Sequence, residues 1–261
     1  MEISNDTEWL GLEQDAPGRW SFELVPELTR FDSKFYGGTG IALTTALLEA
    51  ETRRHALWAT VQFVGSATVG DRIECTVEEL ARGRKTSQVR ITATVGGRVM
   101  LAAIGASGFP MPDALSTQFG TMPDVPPASE VGPWRPNVPF PVSMDGPSWL
   151  RLAEIREVRL PNGVRGMWAR MRERRQSRAS LGFLADMVPS GVVQAAGRAG
   201  AGTSLDNAMR FGKTPDTEWI LVEFDPYLIH GGYCHGAGRI WSEDGTLLGI
   251  ASQTASMILF D

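Results

Sequence analysis

The sequence predicts an α+β fold written twice, each copy a buried helix followed by an antiparallel meander. Three observations carry that expectation. The phrase Trp58-Ala59-Thr60-Val61-Gln62-Phe63 returns as Trp219-Ile220-Leu221-Val222-Glu223-Phe224, each time ahead of a strand leading toward a Gly-containing hairpin turn. The segment after Gly37-Gly38, with Ile41, Ala42, Leu43, Ala46, Leu47, Leu48 and Ala50, is apolar almost all round, as suits a helix wrapped by a sheet rather than lying on a surface. Strand-like stretches separated by Gly70-Asp71, Gly83-Arg84 and Gly96-Gly97 follow it, which is the punctuation of a meander.

In order, the first copy opens with the alternating stretch Trp20 to Val25, followed by the helix and by strands over Leu57 to Phe63, Asp71 to Glu79, Thr86 to Val95 and Val99 to Ile104. A segment from Pro110 to Pro147, rich in proline and poor in periodicity, reads as an extended connection. The domain plan is therefore 1–109, a linker over 110–147, and 148–261. The second copy has strands over Leu150 to Leu160 and Gly166 to Glu173, a helix from about Arg178 to Val188, and strands over Glu218 to Phe224, Tyr233 to Trp241 and Leu247 to Leu259. Asp244-Gly245 is a strong hairpin turn. The second copy carries an insertion, Pro189 to Asp216, a candidate functional loop.

Composition narrows the function. A net charge of −5 over 261 residues argues against a sequence-independent grip on nucleic acid, which requires a basic footprint. No apolar run is long enough to span a bilayer, and Met1 to Asp15 is acidic where a secretory leader would be basic and then apolar, so the cytoplasm is the expected compartment. Cys75 and Cys234, at matching places in the two copies, read as small buried hydrophobes. His55, His230 and His235 have no metal-ligand spacing, so no metal is expected. Gly197-Arg198-Ala199-Gly200-Ala201-Gly202 lacks the context of a dinucleotide fingerprint and reads as a flexible loop.

Phe35-Tyr36-Gly37-Gly38 before the first helix, Leu205-Asp206-Asn207, Glu218-Trp219-Ile220-Leu221, and the run from Asp244-Gly245 to Gln253 occur in an order and spacing that resemble the acyl-CoA thioesterase II (TesB-like) family, over nearly the whole chain. The resemblance implies a double hotdog fold, a long helix wrapped by a curved antiparallel sheet in each unit. It also implies hydrolysis of an acyl-CoA to free acid and CoA, without a cofactor, and a homodimer or larger assembly. In that family an Asp, a Gln and a Ser or Thr hold and activate the attacking water. The first two carry over to Asp206 and Gln253. The third, counted from Glu218-Trp219, falls at Tyr227, so the hydroxyl is that phenol or is absent.

The residue types fit such chemistry, which requires a positioned water, a proton acceptor and donors facing the oxygen that becomes negative. Asp206 serves as base, or as an N-cap or Asx-turn residue in a loop. Gln253 offers an amide that both donates and accepts, or points outward from an edge strand. Aligning Gly245 with Gly97 sets Gly105 opposite Gln253, so the first copy would be disarmed there. Gly37 and Gly38 permit a tight turn and present N–H groups at the positive end of the helix as a seat for the thioester carbonyl. Arg170, Arg172 and Arg174, alternating along one strand, read first as a solvated edge and second as phosphate contacts. The expected function is acyl-CoA thioesterase. The alternative is a hotdog protein that holds an acyl-CoA or lipid-like ligand without cleaving it.

Overall fold

The computed structural model describes residues 5–111, 113–135, 143 and 146–260. Residues 1–4 of the acidic N-terminal stretch, and 112, 136–142, 144 and 145 of the expected connection, lie outside the described residues. The first half contains α1 (Asp6–Trp9), β1 (Glu13–Ala16), β2 (Arg19–Glu23), α2 (Gly37–Thr52), β3 (His55–Phe63), β4 (Arg72–Arg82), β5 (Thr86–Val95) and β6 (Arg98–Gly108). The second contains β7 (Ala153–Arg159), β8 (Arg165–Met171), α3 (Arg178–Ala185), α4 (Val188–Ala195), β9 (Gly200–Phe211), β10 (Ile220–His230), β11 (Tyr233–Ser242) and β12 (Leu247–Leu259).

All twelve strands join one sheet in the order β1-β2-β4-β5-β6-β3-β9-β12-β11-β10-β8-β7. Read from either end the order is the same pattern, so the halves are related by a pseudo-two-fold axis through the antiparallel β3–β9 seam. Its place is fixed by register. Leu57 is skipped where β3 pairs with β6, and Leu205 is skipped where β9 pairs with β12, so the two halves carry the same bulge. From that shared landmark Ala56 corresponds to Ser204, Ala59 to Asn207 and Gly105 to Gln253. The axis then runs through the Thr60–Ala208 pair of the seam.

Burial explains the helices. Of the sixteen residues of α2, thirteen are buried, which the absence of a polar face anticipates. The hydroxyls of Thr44, Thr45 and Thr52 donate to the carbonyls of Gly40, Ile41 and Leu48, so these polar side chains are satisfied inside the core. The matching helix of the second half is broken. Pro189 has no N–H to give to Ala185, so α3 stops at Ala185 and α4 restarts at Val188, leaving Asp186 in the break. The N-terminus of α3 is closed by a capping box in which Ser177 and Ser180 bond reciprocally.

The structure corrects several expectations. Trp219 to Phe224 leads into β10, which holds the place of β4 in its unit, not that of β3. The two copies were thus matched one strand out of phase. The apparent insertion, Pro189 to Asp216, consists mainly of α4 and β9, the strand that joins the halves, and the glycine-rich run over 197–202 leads into that strand. Cys75 and Cys234 are free and buried, but they sit on β4 and β11, which are not equivalent. β8 is no edge, since it pairs with both β7 and β10. The exposed edge strand β1, Glu13-Gln14-Asp15-Ala16, gave no hydrophobic alternation by which to be seen.

Candidate active site

Asp186 is the centre of the site. The break before Pro189 carries its carboxylate to the N-terminus of α2 from the other half. That helix has no side-chain cap of its own, and the Gly38 N–H donates to Asp186 instead. Gly37 makes this approach possible, because a Cβ there would lie 2.5 Å from Asp186 Oδ2. Two carboxamides from neighbouring strands close on the other oxygen: Asn207 Nδ2 donates to Oδ1 at 2.8 Å, and Gln253 Nε2 donates to the same atom. Asn207 and Gln253 face each other across β9 and β12. Gln253 Nε2 also lies 3.5 Å from Ser204 Oγ.

The bulge at Leu205 is what gathers these groups. In an unbroken strand Ser204 and Asn207, three apart, would point to opposite faces. The extra residue brings both to the inner face, where Ser204 lines a cavity and Asn207 is wholly buried.

Electrostatics follow from burial. Loss of water pushes the Asp186 carboxyl up to about 7, outweighing the opposing donors from Asn207, Gln253 and Gly38. The same burial, with Asp186 nearby, raises Tyr36 well above the usual phenol range, and its hydroxyl donates to the Phe183 carbonyl at 3.1 Å. Tyr36 stays neutral and stacks on Trp149, with ring centroids 4.7 Å apart.

Asp186, Gly37 and Ser204 line a cavity of about 450 Å³. One wall is aromatic, with Phe35, Tyr36, Phe63, Trp134 and Trp149. The lining also includes residues of α4 and the first residues of β9, together with Arg30 and Lys34, both of which pair with Asp32 on the same lining. A general base close to neutral, a hydroxyl and an amide beside it, and a helix N-terminus facing the same space form a constellation able to activate water against a polarised carbonyl.

The residues singled out from sequence are placed as follows. Gln253 and Gly37 meet at Asp186. Gly38 does too, but its N–H is taken by the carboxylate rather than left for a carbonyl. Asp206 sits one residue before Asn207 and does not line the cavity. Its Oδ1 accepts the Thr254 N–H at 2.7 Å beside the bulge. Tyr227 is the skipped residue of a bulge between β10 and β11, is 62% exposed and is not on the cavity wall. Arg170 pairs with Glu154 and Glu218 and lies over the Trp219 ring, while Arg172 and Arg174 border a separate cavity. Asp186 and Ser204 were missed by sequence reasoning. The ungapped count from Glu218-Trp219 ran along β10 to Tyr227, away from the cavity, and the helix was expected to end at about Val188, with no break inside it to hold a carboxylate.

Residues 25–108 match the model of the acyl-CoA thioesterase N-terminal domain, and residues 122–257 that of the acyl-CoA thioesterase C-terminal domain. No curated protein matches the chain. Among solved structures, a putative thioesterase from Novosphingobium aromaticivorans is 26% identical with a TM-score of 0.85, covering 94% of this chain and 98% of its own. A hot dog fold protein of unknown function from Alicyclobacillus acidocaldarius is 21% identical at TM-score 0.83, covering 98% of each chain. The acyl-CoA thioesterase II TesB2 of Mycobacterium marinum is 19% identical at TM-score 0.74, again over 98% of each chain. With both halves matched and the architecture shared end to end, this chain belongs to the acyl-CoA thioesterase family, a thioester hydrolase of the double hotdog fold.

Proposed function

We propose that the chain hydrolyses an acyl-CoA thioester by direct attack of water, with Asp186 as the general base. The observation that carries this reading is the buried carboxylate of Asp186, held by Gln253 and set beside Ser204 on the wall of an aromatic cavity. In this reading Asp186 and Ser204 hold the attacking water between them, and Gln253 bridges the two side chains. The N-terminus of α2, with Gly37 on the lining, presents its positive end to the thioester oxygen as charge develops there. Asp186 takes the water proton as the oxygen attacks the carbonyl carbon. It returns the proton to the departing CoA sulfur as the tetrahedral adduct collapses, so the enzyme ends as it began. The aromatic wall suits the acyl group, and Arg30 and Lys34 suit the phosphates of the carrier.

Thiol release from a panel of acyl-CoAs of graded chain length tests this. Asp186→Asn is expected to lower turnover by about 10²–10⁴-fold, the usual contribution of a positioned base. Asp206→Asn, which alters only a backbone contact, should lose far less. Turnover in Asp186→Asn equal to that of the unmodified protein would overturn the assignment.

A further inference from the structure

We propose that Asn207 is a positioning residue for this reaction, holding the Asp186 carboxylate in both of its protonation states. The inference rests on Asp186 as the base and extends it to a residue outside the cavity.

Three observations support it. Asn207 is wholly buried and its Nδ2 donates to Asp186 Oδ1 at 2.8 Å, yet its own Oδ1 has no hydrogen-bond partner among the described residues. A buried amide that satisfies only one of its ends costs stability, and such a cost persists in a fold where it serves something else. The second observation is the amide geometry. Turning the Asn207 amide end for end puts Oδ1 where Nδ2 stood, so the same side chain donates to the carboxylate and accepts from the carboxylic acid. The cycle needs both: when Asp186 takes the proton of the attacking water, its O–H requires an acceptor, and when the proton leaves with the CoA sulfur a donor is required again. Gln253, whose Oε1 is likewise buried and without a partner among the described residues, flanks the same oxygen but also touches Ser204, so it is tied to the water. Asn207 has no second task.

The third observation is the internal control given by the pseudo-two-fold axis. The position equivalent to Asn207 is Ala59, and that equivalent to Gln253 is Gly105. Both carboxamides thus occur only in the half whose inner face meets the carboxylate. If Asn207 served merely to fill the seam between β3 and β9, the equivalent place across the axis, in the same seam, would have the same requirement. It is filled by a methyl group.

The test is the pH profile of kcat/KM and of kcat, measured by thiol release from the most active acyl-CoA of the panel, for the unmodified protein, Asn207→Ala, Asn207→Asp and Asp186→Asn, with circular dichroism to report the fold. Asn207→Ala removes a donor to the carboxylate, so the acid limb should move up by about one pH unit. Its kcat should fall by about 10²-fold with KM little changed, as for a misplaced catalytic group. Asn207→Asp, of the same shape, adds a like charge and should move the limb further up. An unmoved limb and unchanged kcat in a folded Asn207→Ala, while Asp186→Asn is inactive, would overturn the inference alone. An equal loss of kcat in both Asn207 variants with no movement of either limb would also overturn it, since simple distortion does that. Full activity of Asp186→Asn would instead sink the underlying assignment.

Discussion

At the scale of single residues, the site depends on how closely one carboxylate approaches a helix end, and Gly37 is where that approach is tightest. Replacing it with Ala puts a Cβ within 2.5 Å of Asp186 Oδ2, a distance that such atoms essentially never show. The neighbour that must give way is the base itself. Gly37→Ala is therefore expected to keep its fold, with a change in melting temperature of a few degrees, while turnover drops by about 10²-fold. Paired melting and kinetic measurements separate the two, and a variant with undiminished turnover would contradict the geometry. The Gly37-Gly38 pair could be picked out from the residues themselves, as a glycine pair before an apolar helix, whereas Gln253 came from the resemblance to the acyl-CoA thioesterase II family. Asp186 came from neither. Its role depends on a partner helix about 150 positions earlier in the chain, and no spacing rule reaches that far.

At the scale of elements, two departures from regularity build the site: the helix break before Pro189 and the bulge at Leu205. The strand candidates of the first half and the Asp244-Gly245 hairpin could be read from hydrophobic alternation and turn residues. β5 and β12 fall on their expected boundaries, Thr86–Val95 and Leu247–Leu259. A bulge leaves no such trace, because Leu205 resembles any other apolar strand residue while shifting its neighbours by one face. Deleting Leu205 should turn Ser204 away from the cavity and cut turnover severely. Deleting Leu57, the same bulge across the axis, removes a residue that aims only Ala56 and should retain far more activity for a similar loss of stability. Comparable activity in the two deletions would show that the bulge does not aim Ser204.

At the scale of the whole molecule, burial pushes two carboxyls of the described residues up to about 7, and raises a third, Asp6, as well. Glu49, in the last turn of α2 and facing β3, is pushed up to about 7 chiefly by burial, against the Ala56 N–H at 2.8 Å and the nearby charge of Arg178. Asp186 is pushed to about the same value for the same reason. Both hold their protons more tightly folded than unfolded, so between about pH 4 and 7 the native state binds more protons and stability falls as pH rises. Each contributes on the order of 3 kcal/mol of this loss. Urea unfolding at pH 5 and pH 8 should show lower stability at pH 8, and Asp186→Asn should narrow that gap. An equal or greater stability at pH 8 would mean that other groups outweigh these two.

The pseudo-two-fold axis also divides labour between stability and chemistry. At Gly105, across the axis from Gln253, the side chain of Leu48 lies so close that an added Cβ would be 3.1 Å from its Cδ2. Leu48 is fully buried. The place filled by an amide on one side is filled on the other by the Leu48 side chain and the Trp58 carbonyl. At these two positions the first half thus serves as ballast: with Ala59 and Gly105 where its twin carries amides, it packs the sheet beside which Asn207 and Gln253 each leave an oxygen without a partner among the described residues. Duplication made such an arrangement accessible, since a single unit would have to be inert and reactive at the same address.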